Sequence, residues 1–378
     1  MCVCCSVNSY SQGFCVGPTG SPNYDLLVNT YGQADFANYL FCVTIYIHVL
    51  RRDDGTGGQT VANVNAALTY LDDAFNFYPG NYPHYIFFDW DGVINYIDNT
   101  TLFNTPSGVI NNTSYDHIDG VDIYLGDDSI GHPLDGNGYG ATEGVGESSK
   151  LMVTGTFLGV NLVRSPVLSH EMGHVFNLWH TRHGTVIEDI LDDPFQCKEL
   201  VNGSNSDICG DYITDTPADP DISFNVDPIS CVWTGTSLPD ANGDTYVPDT
   251  HNLMARSHPD CMDYFTLEQG KRMKTALMVV PHLQSVSKYT TTGDPCEVIN
   301  SLTFYPNSAD NELNLDLTDK PANTYSYVLY DSTGTVSLSG QSTNVLETID
   351  TSGLQEGAYF LHFYENGIVI IKHIIVNH

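Results

Sequence analysis

Three histidines and one glutamate within eleven residues place the strongest limit on the local fold. His170 and His174 are four residues apart, Glu171 follows the first of them, and His180 comes six residues after the second. Side chains at positions i and i+4 project from one face of a helix, so the two histidines can share one metal ion. A third histidine leaves one position of a tetrahedral zinc site open, which is typical of a catalytic site. The spacing therefore predicts a zinc centre, with Glu171 as a general base toward water.

The residues around this motif predict a helix that ends before the third histidine. Ser165 is a suitable N-cap and Pro166 suits the first helical turn. On a continuous helix, His180 would point away from the first two histidines, so we expect a sharp turn near Asn177. Asparagine tolerates the left-handed backbone conformation that such a turn requires.

The charge balance limits the kind of partner. The 378 residues include 46 acidic and 13 basic side chains, for a net charge of -33. This charge argues against nucleic acid or an anionic membrane as partner, and it suits a soluble exported protein that binds cations or tolerates salt. No apolar run reaches the ~20 residues of a membrane span, so no such span is predicted.

The ten cysteines indicate an oxidising compartment and disulfide bonds. Cys197, Cys209, Cys231 and Cys261 can pair in three ways, and the sequence leaves the choice open. Cys15 is expected in a disulfide; the alternative is a latency switch, in which its thiolate fills the open zinc position.

Residues 1–39 are predicted to be an N-terminal arm or the remnant of a pro-segment. They start with Met1-Cys2-Val3-Cys4-Cys5 and lack the basic start and apolar stretch of a secretory signal. For an exported protein we therefore expect a trimmed or incomplete N-terminus.

Two folded regions are predicted, which together give an α+β fold class. Residues 40–290 form an α/β-type layered domain with a mixed sheet packed on helices. Its predicted elements are strands at Cys42–Val49, Tyr85–Asp89, Val93–Ile97 and Val121–Leu125, and helices at Val61–Phe77 and Thr266–Met278. Residues 291–378 form a small all-β sandwich. Its predicted strands are Leu313–Leu317, Tyr325–Tyr330, Gly357–Tyr364 and Ile368–Val376.

Several motifs in the first region resemble the pappalysin-like metzincin metallopeptidases, especially their secreted bacterial members. Beyond the histidine motif followed by Thr181, the segment 210–217 resembles the family's GDxxxDTP sequence, and Asn252-Leu253-Met254 resembles its Met-turn. Further matches to a C…FTxxQxxRM pattern are Cys261, Phe265, Thr266, Gln269, Arg272 and Met273. The resemblance spans most of residues 40–280 and implies a zinc endopeptidase.

The C-terminal region resembles the sorting domain of type IX secretion substrates. The matching segments are Tyr305–Ala309, Tyr330–Gly334, Leu354–Tyr359 and Ile371–Val376. The resemblance implies that the type IX machinery is a partner and that the protein is secreted or displayed on the cell surface. An ordinary adhesive β-sandwich is the alternative.

The metzincin resemblance also implies roles near the zinc. Met254 would form the apolar floor below the metal. The family usually has a catalytic tyrosine two residues later, where this chain has Arg256, which can also donate hydrogen bonds to an oxyanion. Tyr264 is a second candidate for that task. Asp260, before Cys261, would line the substrate pocket and favour arginine or lysine.

Clustered oxygen ligands suggest calcium. The resemblance places calcium at Asp211, Asp215 and Thr216, and the segment Asp240–Asp244 offers a second set of oxygens. Asp, Asn and Gly in such segments also form plain polar turns, which is the favoured interpretation of the second set.

The leading functional hypothesis is a secreted zinc endopeptidase that acts on proteins or peptides. The alternative is a weakly active or inactive metal-binding surface protein, or an adhesin, on the same scaffold. Intact Glu171 favours the first hypothesis, and Arg256 is the feature that favours the second.

Overall fold

The structure is a computed structural model with a mixed α+β fold. It describes residues 28, 39–76, 83–127, 139–142, 145–154, 166–185, 197–222, 225–291, 295–296, 302–318, 324–331, 335–365 and 368–378. Its helices are α1 (Val61–Asn76), α2 (Thr100–Asn104), α3 (Pro166–Val175), α4 (Leu267–Val279) and α5 (Pro281–Val286). The strands of the first region are β1 (Leu40–Arg51), β2 (Ile86–Asp89), β3 (Ile94–Asp98), β4 (Val121–Leu125), β5 (Tyr139–Thr142), β6 (Lys150–Thr154) and β7 (Ser287–Thr290).

Strand β1 is the centre of a large mixed sheet. Along one edge, β1 pairs in parallel first with β2 and then with β3. Along the other edge, it pairs first with β7, which is antiparallel, and then with β4, which is parallel. Ile47, for example, lies between Ile94 and Ile123. Beyond β4 come β6 and then β5, which runs antiparallel to β6 and is the last strand at that end among the described residues.

The two faces of β1 have different neighbours, because successive side chains of a strand point to opposite sides. Ile45, Ile47 and Val49 are buried in the main core, which also contains apolar residues of α1, α3 and α4. Burying each such side chain is worth about 1.5–3 kcal/mol. This packing holds α3, the helix of the histidine motif, against one face of the sheet.

The C-terminal region is a β-sandwich, as the sequence predicts. Its strands are β8 (Thr303–Tyr305), β9 (Glu312–Asp316), β10 (Tyr325–Asp331), β11 (Val336–Ser342), β12 (Leu346–Asp350), β13 (Gly357–Glu365) and β14 (Ile368–Val376). One sheet has the order β12-β9-β8, and the other continues the large sheet in the order β11-β10-β13-β14-β7. Alternating apolar side chains such as Leu313, Leu315, Leu361 and Phe363 form a separate core between the two sheets.

The described part of the chain contains three disulfides. Cys42 in β1 pairs with Cys296, which follows β7. In the long loop region, Cys197 pairs with Cys209 and Cys231 with Cys261, one of the three arrangements that the sequence left open. Cys15 and Ser165 lie outside the described residues, as does all of the N-terminal arm except Val28 and Tyr39; Val28 is buried in the main core.

Local sequence patterns predicted several elements well. The helix predicted at Val61–Phe77 is α1, and the predicted capping box of Thr266 and Gln269 at the start of α4 is confirmed, with both of its hydrogen bonds present. Strands β5, β6 and β7 were not predicted, because short strands carry little periodicity of their own. Within the described part of the chain, no helix combines the length and apolar character that a membrane crossing requires.

Candidate metal centre

The three predicted histidines converge in the interior. The Nε2 atoms of His170 and His174 are 3.0 Å apart, and each is 3.2 Å from Nε2 of His180. The exposed fractions are 0%, 1% and 9% in sequence order. Three ring nitrogens at such short separations point at one common position between them.

The hydrogen bonds of the other ring nitrogens identify the tautomers. Nδ1 of His170 is 2.6 Å from the carbonyl oxygen of Leu253, and Nδ1 of His174 is 2.7 Å from that of Leu178. A carbonyl only accepts, so each Nδ1 carries the proton and each Nε2 presents a lone pair. This arrangement, with the outer nitrogen bound to a carbonyl, is typical of histidine metal ligands.

Burial keeps these rings neutral. It lowers the pKa of His170 to about 4 and holds the pKa values of His174 and His180 well below the usual range. Neutral nitrogen lone pairs that face each other in a dry site repel unless a cation lies between them. The donor set of three imidazoles fits zinc.

A sharp turn after α3 brings the third histidine back. Leu178 N–H donates to the carbonyl of Gly173 at 2.9 Å, and Asn177, with φ of 69°, occupies the left-handed region. This turn lies where the sequence predicts one, and it directs the chain so that His180 faces the end of α3.

Glu171 is buried beside the histidines. Neither of its carboxylate oxygens has a hydrogen-bond partner among the described residues, and burial raises its pKa well above the usual range. Its side chain lies against Gly140 of β5, where a Cβ atom would overlap the carboxyl group. Gly140 thus provides the space that Glu171 occupies.

Met254 lies below α3. Met254 is fully buried. A Cβ placed on Gly173 would be 2.7 Å from its Sδ, so a side chain at Gly173 would push Met254 away from α3. Its backbone N–H donates to Oδ1 of Asn252 at 2.8 Å, which fixes the turn. The same turn supplies the Leu253 carbonyl that orients His170.

The other residues expected near the site occupy different surroundings. Arg256 is half-buried, and its positive charge contributes to the lowered pKa of both His170 and His180. The phenol of Tyr264 donates to Asp249, and burial with this bond raises its pKa. Asp260 is exposed, with its carboxylate 3.5 Å from Nδ1 of His258.

The segment expected to bind calcium contains a buried acidic cluster, which we define as Glu199, Asp211 and Asp219. Burial raises the pKa of Glu199 to about 9, of Asp211 to about 8 and of Asp219 to about 6, and the charges of Asp211 and Asp219 add to the shift at Glu199. One oxygen each of Glu199 and Asp211 is buried without a partner among the described residues. Thr216 donates to Asp211 at 3.0 Å, whereas Asp215 is exposed and accepts from the N–H of Glu268.

A second group of potential ligands lies on the opposite face of the sheet. Oδ1 of Asp122 is 2.7 Å from Nε2 of His48 and 2.7 Å from Nδ1 of His117, whose backbone N–H donates to Oδ2. Here every short contact joins nitrogen to a carboxylate oxygen, so hydrogen bonds account for the group without a cation. In the His170 group the short contacts join ring nitrogens only, and those of His170 and His174 present lone pairs.

Sequence reasoning missed four residues that shape these sites. Glu199 and Asp219 join the acidic cluster, Gly140 borders Glu171, and Arg272 contacts Asn177. Arg272 was noted only as a family match, and the other three carry no motif. Glu199 lies against Gly210, the neighbour of Asp211, because the Cys197–Cys209 disulfide brings the two segments together.

Comparison with known proteins adds two findings for parts of the chain. Residues 303–377 match the family described as secretion system C-terminal sorting domain. A segment of 150 residues is 32% identical to two extracellular metalloproteases from strains of Aspergillus fumigatus. That match covers 40% of this chain and 38% of each relative, so the chain aligns with about two fifths of their length.

One solved structure shows low similarity to this chain. It is mirolysin in complex with compound 9, with a TM-score of 0.45, 13% identity, and coverage of 65% of this chain and 95% of that chain. The similarity to the two Aspergillus fumigatus proteins relates part of the chain to metalloproteases, and residues 303–377 match a sorting domain.

Proposed function

We propose that this chain is an exported zinc metalloendopeptidase of the pappalysin-like metzincin type. The observation that carries the proposal is the convergence of three neutral histidine nitrogens beside a buried carboxyl group that has no partner among the described residues. His170, His174 and His180 would hold the zinc. The relationship to extracellular metalloproteases and the sorting domain support the same interpretation.

The chemistry that zinc supplies in such sites is activation of water and polarisation of a carbonyl group. Glu171 would take a proton from the attacking water on a carboxylate oxygen and return it to the nitrogen of the leaving amine. Its raised pKa suits both steps, because proton uptake and release near neutral pH require a carboxyl group that titrates above its ordinary range.

An extended peptide would bind along β5. This strand has no further partner on its outer edge among the described residues, and Gly140 within it lies against Glu171. A substrate strand that pairs with this edge would pass next to the general base, through the backbone hydrogen bonds by which peptides add to sheet edges.

Two charged residues are assigned roles toward the substrate. Arg256 would stabilise the negative charge on the reacting carbonyl oxygen, since its charge already acts on two of the histidines. Tyr264 is less suited to this task because its phenol is bound to Asp249. Exposed Asp260 would favour basic substrate side chains.

The C-terminal domain would direct export through the type IX secretion machinery. Its match to a sorting domain supports this assignment, and the disulfides fit an oxidising destination. The substrates would then be extracellular proteins or peptides.

The direct test is hydrolysis of a denatured protein by the full chain. We expect about one zinc per chain, complete loss of cleavage when a chelator removes the metal, and recovery when zinc is restored. A basic-residue peptide library would test the assignment of Asp260. Zinc binding without cleavage in any of these assays would refute the peptidase and support a metal-binding surface protein.

We further propose that the acidic cluster binds calcium. Glu199 and Asp211 would be ligands, since each has a buried oxygen without a partner among the described residues, and Thr216 is close enough to contribute. Burial disfavours the charged form of these carboxyl groups, and calcium, which binds six to eight oxygens, would favour that charged form. Asp215 is not assigned to this set because it caps α4.

Calcium is expected to stabilise the fold more strongly at high pH. In the folded protein, Glu199 and Asp211 have pKa values of about 9 and about 8 and keep their protons at neutral pH. In the unfolded chain, carboxyl groups have pKa values of about 4 and lose their protons at a much lower pH. Their contribution to stability is complete below about pH 4 and is lost as the pH rises through 8 to 9, so the calcium-free protein weakens over this range. Bound calcium at 100-fold excess over its Kd would add about 3 kcal/mol.

Thermal unfolding with and without calcium, at roughly pH 6 and pH 9, measures this effect. We expect a larger rise in Tm at the higher pH. Glu199→Gln should reduce the rise, while Glu312→Gln, an exposed control in β9, should preserve it. An equal rise in the Glu199→Gln protein would exclude this cluster as the calcium site.

A further inference from the structure

The turn between the second and third histidines is held by a residue 95 positions later in the chain. We infer that Arg272 is a positioning residue that keeps His180 in place to bind the metal. This inference rests on the proposed zinc site but requires no peptidase activity. It assigns Arg272 a role in retaining the metal.

The turn contains an unfavourable backbone conformation at Asn177. Asn177 has φ of 69°, in the left-handed region that L-residues disfavour, although asparagine tolerates it better than most. His180 depends on this turn because it lies beyond the end of α3. Contacts from outside the segment are therefore needed to keep the turn in a single conformation.

Arg272 supplies two such contacts. Its Nε donates to the backbone carbonyl of Asn177 at 2.8 Å, and its Nη2 donates to the side-chain Oδ1 of the same residue at 2.7 Å. Arg272 is 4% exposed and Asn177 is fully buried. A planar guanidinium group that binds two acceptors fixes both position and orientation, which a lysine ammonium group does not reproduce.

The opposite side of the turn is held as well. Nδ2 of Asn177 donates to the carbonyl of Val145 at 3.3 Å, and Gly146 N–H donates to the carbonyl of His174 at 2.7 Å. Gly146 has φ of 67°, and a Cβ there would overlap the Asn177 side chain. The turn thus lies between the segment that leads into β6 and helix α4.

Helix α4 connects the turn to the other side of the metal site. Gln269, one helical turn before Arg272, exchanges two hydrogen bonds with the side chain of Asn252, at 2.9 and 3.1 Å. Asn252 precedes Leu253, whose carbonyl orients His170. One helix therefore holds both the segment that orients the first ligand and the turn that directs the third.

Removal of a residue that orients a metal ligand typically weakens metal binding by 10–100-fold. We expect Arg272→Met to accelerate zinc release by about that factor. Arg272→Lys should have an intermediate effect. Asn177→Gly keeps the carbonyl but loses the bond from Arg272 to Oδ1 and the bond from Nδ2 to Val145, so its effect should be smaller. Its effect in the Arg272→Met background should be less than additive, because both changes remove the bond to Oδ1.

The measurement is the rate of zinc transfer from the loaded full chain to a chromogenic chelator. Lys271→Met is the control for a charge lost from the same helix, because Lys271 pairs with Glu268 near the surface. Leu277→Ala is the control for lost stability, because it opens a cavity in the core of that helix. Both controls should release zinc at nearly the wild-type rate.

The inference would be overturned if Arg272→Met, Arg272→Lys and Asn177→Gly, each shown to be folded, all released zinc at the wild-type rate. Equal acceleration by Leu277→Ala would also overturn it, because general destabilisation would then explain the loss. Zinc release needs no peptide substrate. A chain that binds zinc but cleaves nothing would therefore refute the peptidase function without affecting this test.

Discussion

Replacement of Glu171 by glutamine is expected to lower kcat/KM for protein hydrolysis by a factor of about 10²–10⁴. Glutamine keeps the shape of the side chain next to Gly140 but has no basic oxygen that can accept and return a proton. Since the three histidines are unchanged, the zinc content should remain at about one per chain. Steady-state kinetics and elemental analysis on the same preparation measure both quantities.

Glu312→Gln is the matched control for this experiment, because Glu312 is exposed in β9 of the C-terminal sandwich, outside the metal centre. It should retain wild-type kinetics. Full activity in the Glu171→Gln protein would show that another group moves the proton. Loss of zinc together with activity would instead show that Glu171 is needed to assemble the site.

Removal of the Cys42–Cys296 disulfide is expected to produce the largest loss of stability of any disulfide described here. The bond joins residues 254 positions apart, whereas Cys197 and Cys209 are 12 apart. In the chain-entropy model, loss of the long loop costs about 5 kcal/mol and loss of the short loop about 3 kcal/mol. Cys42 is also in β1, the strand on which the large sheet is built.

The comparison uses Cys42→Ala with Cys296→Ala against Cys197→Ala with Cys209→Ala. Chemical unfolding followed by tryptophan fluorescence gives the two losses of free energy. We expect the first pair to unfold at the lower denaturant concentration. If the second pair were the less stable, local structure around the acidic cluster would contribute more than chain entropy.

Much of the fold could be predicted because it depends on local chemistry. Helix α1 follows from the apolar spacing of Val64, Leu71 and Phe75, and the start of α4 follows from the capping box of Thr266 and Gln269. Strands β5 and β6 could not be predicted in this way. They are short and buried, and they pair with each other and with β4 through contacts that no local pattern encodes.

Some residues of the candidate site could also be predicted from the sequence, and others could not. His170, Glu171 and His174 were predictable because one helical turn determines their relative positions. The expectation that Asp215 shares calcium with Asp211 remains a prediction. The structure places Glu199 against Gly210, next to Asp211, and directs Asp215 to the start of α4. Likewise, Tyr264 is close in sequence to the Met-turn, yet its phenol is bound to Asp249.

The sequence by itself determined the three candidate histidine ligands, the helix that carries two of them, and the position of Glu171 beside them, because these depend on spacing over a few residues. Only the tertiary structure decided which residue contacts the turn before His180, which cysteines pair, and which acidic residue lies against Gly210, next to Asp211. Arg272 and Asn177 are 95 residues apart. Their contact exists because the packing of α3 and α4 on one sheet buries a guanidinium group next to a turn that leaves its carbonyl and side-chain oxygens available to accept hydrogen bonds.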